Sequence, residues 1–422
     1  MPAQPHAATI LTQTHWKSAL AALLLGVVAA IFIGKLPPAI PVLRTEFGLS
    51  LSESAWLVSM FNLLGVVASI FMGLFTARVG AWRMCVTGLI AMTGGALLGA
   101  ATPSTLAWLL LASRFLEGVG FLSIVVSAPG LLMLATADAD KKRVFSFWGA
   151  YMPTGTTIGM LLAPLMIAWF GWRGLWASTG VAAVAALWLL IALRAGYASA
   201  RAAQGTPAAG SSADAWRAGA GPLKKSGPWW IALAFGCYAF NFNAIMVWLP
   251  TFLTSERQTP LLTASLLTAL VVAVNIGGNV MGGVLMQRGV SRGTNVCLAG
   301  LATALTGAVI FSPALPDWLR YLGCVAFSFS VGVLPGSVMS SAQTHAQNPA
   351  QVGTVQGMIN QGSNMGQFIS PPLVAAAVSQ MAGGALAWNN MLFLLLATSA
   401  IIVVSGLMIR RVEARMAASS GA

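Results

Sequence analysis

Three charged side chains fall inside long apolar stretches of this sequence: Lys35, Arg114 and Glu117. An ionisable group at the centre of a membrane-spanning helix costs about 2.5–3.5 kcal/mol on insertion scales, so each needs a partner or a task. Arg114 and Glu117 stand three apart, which sets them on one face of a helix within pairing distance. Nine residues of helix beyond Thr105 carry Arg114 about 13 Å deep, near the bilayer midplane. Two readings stand for it: a ligand for an anionic substrate, or a structural cation satisfied by Glu117 and neighbouring carbonyls. Glu117 is the one acidic side chain within an apolar stretch. It either loses and regains a proton in a coupled cycle, when a substrate competes for Arg114, or stays ionised as the fixed partner of Arg114. Lys35 lies eighteen residues beyond Lys17, about 27 Å along the same helix and so near its outer end. There it either snorkels to the interface, or captures anions at a mouth where Pro37 and Pro38 break the helix.

A second set of candidates is polar but uncharged. Asn241 and Asn243, Asn275 and Asn279, and Gln356, Asn360, Asn364 and Gln367 all sit in apolar surroundings. The spacing of Asn360, Asn364 and Gln367 makes one stripe of a helix, which Gln356 extends. Tyr151, Thr154 and Thr157 give a similar lining in the first half of the chain. These groups line a cavity or hydrogen-bond between helices, a contact worth about 0.6 kcal/mol on average. Four amides on one face exceed what helix association needs, which favours the cavity for that stripe.

The elements that must hold these residues are transmembrane helices. Charged residues are 7% of 422, hydrophobic residues 57%, and the mean hydropathy is +0.81. A span takes about 20 apolar residues. Twelve such stretches are predicted near 17–42, 53–75, 83–101, 105–134, 143–169, 173–193, 229–253, 261–286, 293–312, 318–344, 351–380 and 386–410. The fold class is therefore an all-α membrane protein. With the N-terminus inside, sixteen of the Lys and Arg residues collect on the cytoplasmic side and five outside: Lys35, Arg44, Arg173, Arg257 and Arg320. This bias puts both termini in the cytoplasm, at the plasma or inner membrane, and leaves no basic surface for nucleic acid despite the net charge of +13. The tryptophans near predicted ends, such as Trp16, Trp108 and Trp318, read as an aromatic belt. Cys85, Cys237, Cys297 and Cys324 are dispersed with no CxxC and no nearby His, so no metal site and no cofactor is expected. The first stretch reads as an uncleaved helix.

The chain repeats itself. Gly155, Gly159 and Pro164 recur as Gly362, Gly366 and Pro371, all 207 positions later. Gly73 precedes Arg78 by five, as Gly283 precedes Arg288, and Val119–Gly120 matches Val331–Gly332. A parallel duplication of this kind places a substrate path on the axis between two halves. The expected domains are a cytoplasmic tail (1–16), a six-helix bundle (17–193), an Ala/Gly/Ser-rich linker (194–228), a second bundle (229–410) and a cytoplasmic tail (411–422).

Twelve spans, a central loop, the run Gly73–Leu74 through Arg78, Gly80 and Arg83, and Arg114-x-x-Glu117-Gly118-x-Gly120 resemble the major facilitator superfamily. The resemblance implies two pseudo-two-fold-related bundles, alternating access, a functional monomer, and a gating role for the Gly73, Arg78, Gly80 and Arg83 loop motif. It also implies an Asp before the first Arg of that motif, which here is Ala77, so the latch between states must differ or be weaker. Gly34-Lys35-Leu36-Pro37-Pro38-Ala39-Ile40-Pro41 is similar to the cyanate permease branch. Gly159-x-x-x-Ala163-Pro164 looks like a weakened antiporter motif, with Ala163 in place of Gly.

The expected function is secondary active transport of a small anion, an organic carboxylate or a cyanate-like species, coupled to protons and embedded in the lipid bilayer. Glu117 is the expected proton-coupling residue, and Arg114, Lys35, Tyr151, Asn241, Asn360 and Asn364 are the expected substrate ligands. Two cations against one carboxylate leave the path positive, which disfavours lipophilic cations. The alternative is a proton antiporter exporting amphipathic compounds. An enzyme is not expected: His6, His15 and His345 pair with no acid in their own stretch, and no P-loop is present.

Overall fold

The structure, a computed structural model, describes residues 13–198, 220–339, 341–346, 349–379 and 387–420. Ten of its helices are long and apolar enough to cross a membrane. One of these, Tyr151–Ala192, runs 42 residues but is broken at Gly171, whose φ of 67° and ψ of 178° no helix contains. It supplies two spans. A further 30-residue helix, Pro349–Val378, carries the predicted amide stripe and is too polar to be counted with the ten.

The twelve spans are α1 (Trp16–Phe47), α2 (Leu51–Met72, its helix running on to Val79), α3 (Ala81–Ala100), α4 (Ala107–Ala135), α5 and α6 (151–170 and 172–192), α7 (Ser226–Glu256), α8 (Leu261–Gln287), α9 (Arg292–Phe311), α10 (Asp317–Val338), α11 (Pro349–Val378) and α12 (Met391–Ser420). They form two six-helix bundles, as the sequence predicts. An even number of crossings returns the end of α12 to the face where α1 begins. Most of the linker predicted at 194–228, and residues 1–12 of the tail predicted at 1–16, lie outside the described residues.

The repeated glycines make the same contact twice. A Cβ on Gly155 or Gly159 of α5 would strike the α1 backbone at Val27, Ile31 and Gly34. A Cβ on Gly362 or Gly366 of α11 would strike the α7 backbone at Ala232 and Gly236. Each pair lets two helix backbones touch, the usual route to close packing where lipid supplies no hydrophobic drive. Gly80 (φ 92°) and Gly289 (φ 86°) also match between halves, turning the chain from α2 into α3 and from α8 into α9 in a conformation open to glycine at no steric cost.

Local signals explain the first hairpin. Pro37 and Pro38 do not break the first helix as their type predicts: they sit in the opening turn of its second segment, Leu36–Phe47, where a proline's missing N–H costs little. The helix continues through Lys35 and ends at left-handed Gly48. A capping box then starts α2: Glu53 N–H donates to Ser50 Oγ at 3.1 Å, and Ser50 N–H donates to Glu53 Oε2 at 2.8 Å.

Candidate functional site

α1, α2, α4 and α6 converge on one buried charge cluster. The Lys35 ammonium of α1 donates to Glu117 Oε1 of α4 at 2.7 Å and to Thr179 Oγ1 of α6 at 2.9 Å. Arg114 Nη1 donates to the other carboxylate oxygen of Glu117 and, at 3.0 Å, to the Phe32 carbonyl. Arg114 Nε donates to the Leu57 carbonyl of α2 at 3.2 Å. Both cations also lie over aromatic faces, Lys35 at 4.4 Å from the Phe32 and Trp176 ring centroids and Arg114 at 4.5 Å from that of Phe61. Lys35, Arg114 and Glu117 are 0, 1 and 0% exposed.

This corrects the placement of Lys35. Counting residues along α1 puts it at the outer end, free to snorkel or to meet anions at a mouth, yet its ammonium is folded inward onto Glu117. The helical rise gives the height of a residue along its axis and says nothing about which way it faces; Thr179 and Trp176 of α6, absent from the sequence reading, supply the direction. The outward cations of the sequence tally therefore lose Lys35. Glu117, between two cations, holds both through separate oxygens, and the cluster carries one net positive charge inside one bundle.

The other candidates separate. Tyr151 is half-buried at the start of α5, stacked on Trp148 with ring centroids 4.4 Å apart. Tyr238 of α7, in the other bundle, stacks with Phe242 at 6.1 Å. The Tyr238 hydroxyl meets Asn275 Oδ1 at 3.5 Å, and Asn279 Nδ2 donates to the same oxygen at 2.9 Å. Gln356 donates to Asn360 Oδ1 at 3.3 Å, and both stay half-buried. Asn364 instead joins the bundles: its Nδ2 donates to Ser69 Oγ of α2 at 3.2 Å, and Gly65 leaves room for it. Asn241 is turned away toward α12, accepting from Thr398 Oγ1 at 2.5 Å, and Asn243 donates to the Gln367 carbonyl at 3.1 Å. Asn364 thus reaches across to the first bundle, while Asn241, Asn275 and Asn279 pair within the second and the charges sit within the first. Trp148, Tyr238 and Phe242 were missed because an aromatic in an apolar helix carries no signal of its own.

In the loop motif, Gly73 lies in the α2 helix, Arg78 and Arg83 are exposed, and Gly80 makes the turn. The second-half counterpart of Arg83 behaves differently. Arg292 is buried, donates from Nε to the Ser337 carbonyl at 3.0 Å, and pairs with Glu413 of α12; Glu413 Oε1 also lies 3.5 Å from His345 Nε2. Among the described residues no group of His, Cys, Asp and Glu could hold a metal ion.

Comparison with known proteins fits this geometry. The sequence profile of the Major Facilitator Superfamily matches residues 22–371, most of both bundles. The chain belongs to the major facilitator superfamily. Among solved structures, a bacterial homologue of the human lysosomal transporter Spinster, inward-facing and unoccupied, matches with a TM-score of 0.71 over 93% of this chain and 95% of that one. At 13% identity that likeness is one of fold. Curated proteins are similar over shorter stretches. A probable sulfoacetate transporter of Cupriavidus necator is 28% identical over 34% of each chain. A riboflavin transporter of Clostridioides difficile is 24% identical over 31% of this chain and 28% of its own. A putative niacin/nicotinamide transporter of Bacillus subtilis is 28% identical over 39% and 40%. The chain therefore spans well under half the length of these relatives. Their names, like the family, agree with the expectation that the protein is not an enzyme.

Proposed function

We propose that the protein carries a small organic anion across the membrane by alternating access, together with protons. The observation that supports this most is the buried cluster of two cations on one carboxylate, Lys35–Glu117–Arg114. With Glu117 ionised the cluster holds one positive charge; once Glu117 takes a proton it holds two. An anion in the path is attracted more strongly by the second state. By reciprocity, the bound anion raises the affinity of the cluster for the proton by the same factor. Proton and anion then travel together, and a cationic substrate is repelled in both states.

The anion is held between the bundles by Tyr151, Asn360 and their neighbours, and Arg114 acts on it through space in this state, since its partners all lie in the first bundle. The stacked aromatic pairs suit an anion with a planar face, in keeping with the niacin and riboflavin named for two relatives. They also suit the alternative, an exported amphipath, which the weakened antiporter motif Gly159-x-x-x-Ala163-Pro164 of α5 supports, but the positive cluster argues against the cationic members of that class. Termini in the cytoplasm follow from the bias of Lys and Arg toward their face.

The test is uptake into proteoliposomes of nicotinate and sulfoacetate under an inward proton gradient. The native protein concentrates its substrate. Lys35→Met/Glu117→Gln keeps the cluster at one positive charge without a titrating carboxylate, so it equilibrates substrate but no longer concentrates it. Gradient-driven accumulation by that variant overturns the coupling role, and a preference for cations in the native protein overturns the anion.

A further inference from the structure

In the second bundle, a slot with about 630 Å³ of empty space, part of it open to the outside, runs between α7 and α10 and is closed off by the ends of α9 and α12. Ala244, Trp248 and Phe252 stand four apart on one face of α7, so the wall follows the helix axis. From Ala244 to the end of α7 at Glu256 is about 18 Å. The space is elongated and almost wholly apolar until its end. There Arg257, just past α7, and Asp317 and Arg320, at the start of α10, meet: Arg257 Nη2 donates to Asp317 Oδ1 at 2.8 Å, and Arg320 Nη1 lies 3.4 Å from the same oxygen. Two guanidinium groups thus share one carboxylate at the mouth, and the Glu256 carboxylate, one residue before Arg257, is engaged by the slot's Trp388, whose Nε1 donates to it at 3.2 Å.

We infer that this slot is a binding site for an anionic lipid of the surrounding bilayer, with one acyl chain along α7 and its acidic headgroup at Arg257 and Arg320. The charges stand at helix ends, at headgroup level, and the apolar length beneath them is about that of one leaflet, half of a hydrocarbon core roughly 30 Å thick. The site therefore has the same polarity profile with depth as a lipid. Its paired guanidinium groups select an acidic headgroup: a phosphate accepts from both forks, while Asp317 holds the two together and tempers their attraction. A compact soluble substrate matches neither the length nor the polarity, and the slot shares no residue with the space between the bundles.

Native mass spectrometry of the full chain in detergent tests this, with phosphatidylglycerol and phosphatidylcholine of identical chains and with oleate as probes. One phosphatidylglycerol is expected to be retained at a concentration at least tenfold below that needed for phosphatidylcholine. Arg257→Gln/Arg320→Gln, whose side chains are both at the surface end, should abolish that preference; Cys324→Phe, which fills the slot from α10, should abolish retention of either lipid. Equal retention of the two lipids by native protein overturns the inference, as does a filled variant that still holds phosphatidylglycerol. Retention of oleate without phosphatidylglycerol assigns the slot to a free amphipath instead and equally refutes a bilayer lipid. If Cys324→Phe does not fold, the surface pair decides alone.

Discussion

Removing each member of the Lys35–Glu117–Arg114 cluster leaves a different charge behind, and the order of damage follows from that. Lys35→Met leaves a neutral Arg114–Glu117 pair that keeps its carbonyl acceptors. Glu117→Gln leaves two cations 0–1% exposed with no counter-charge. Breaking a buried pair by removing one partner costs about 3–5 kcal/mol, because an uncompensated charge remains inside. Thermal unfolding in detergent should therefore rank the variants native, then Lys35→Met, then Glu117→Gln, with Lys35→Met restoring stability when added to Glu117→Gln. A double variant less stable than Glu117→Gln would mean that Lys35 is held by its aromatic and Thr179 contacts more than by the carboxylate. Much of this was legible in the residue types: a charge in a span needs a partner, and Arg114 with Glu117 three residues on names one. That Lys35 joins them was not legible, because its partners lie 82 and 144 positions away and only the packing of α1 against α4 and α6 aims its side chain.

At the scale of elements, α11 contains its own control. Gly366 and Gly353 both lie on this helix; a Cβ at Gly366 would strike the α7 backbone at Gly236, while at Gly353 it would meet open space. Gly366→Ala forces the α7–α11 crossing apart and should destabilise by about 1–3 kcal/mol, the range for overpacking. Gly353→Ala should be neutral or stabilise by up to about 1 kcal/mol through helix propensity. Melting temperatures of the two variants check this, and equal effects would show that the crossing yields without strain. The crossing was readable beforehand as a glycine spacing repeated in both halves, and most helix bounds were readable within a few residues as apolar runs. Two features were not. α12 continues to Ser420, past the predicted end at 410, where Glu413 finds Arg292 and His345 on neighbouring elements. The division at Gly171 agrees with the predicted gap between 169 and 173, but α5 begins at Tyr151 rather than near 143, because Lys141–Gly149 forms a short helix of its own.

At the scale of the whole molecule, one seam between the two bundles runs along α2 and α11, starting toward the face opposite the termini. Ser59 Oγ donates to the Phe368 carbonyl at 2.7 Å, and Trp56 sits edge-on to the Phe368 ring at 6.0 Å. The seam continues inward to Asn364 on Ser69, and to Gly357, which faces Ile70. These contacts are short, uncharged and few in kind, as a joint that must open and reclose requires: interfaces of this sort have two discrete arrangements rather than a continuous range. In an alternating-access cycle the Ser59–Phe368 end must part while the opposite end closes. Introducing Ser59→Cys with Phe368→Cys and oxidising the pair should hold that end shut. Flux across proteoliposomes should then fall at least tenfold and return with reductant, while binding from the termini side, read by thermal stabilisation, persists. Flux that survives verified cross-linking would mean that α2 and α11 stay together through the cycle. The moving seam would then have to lie elsewhere, with the contact between α1 and α7 as the next place to lock.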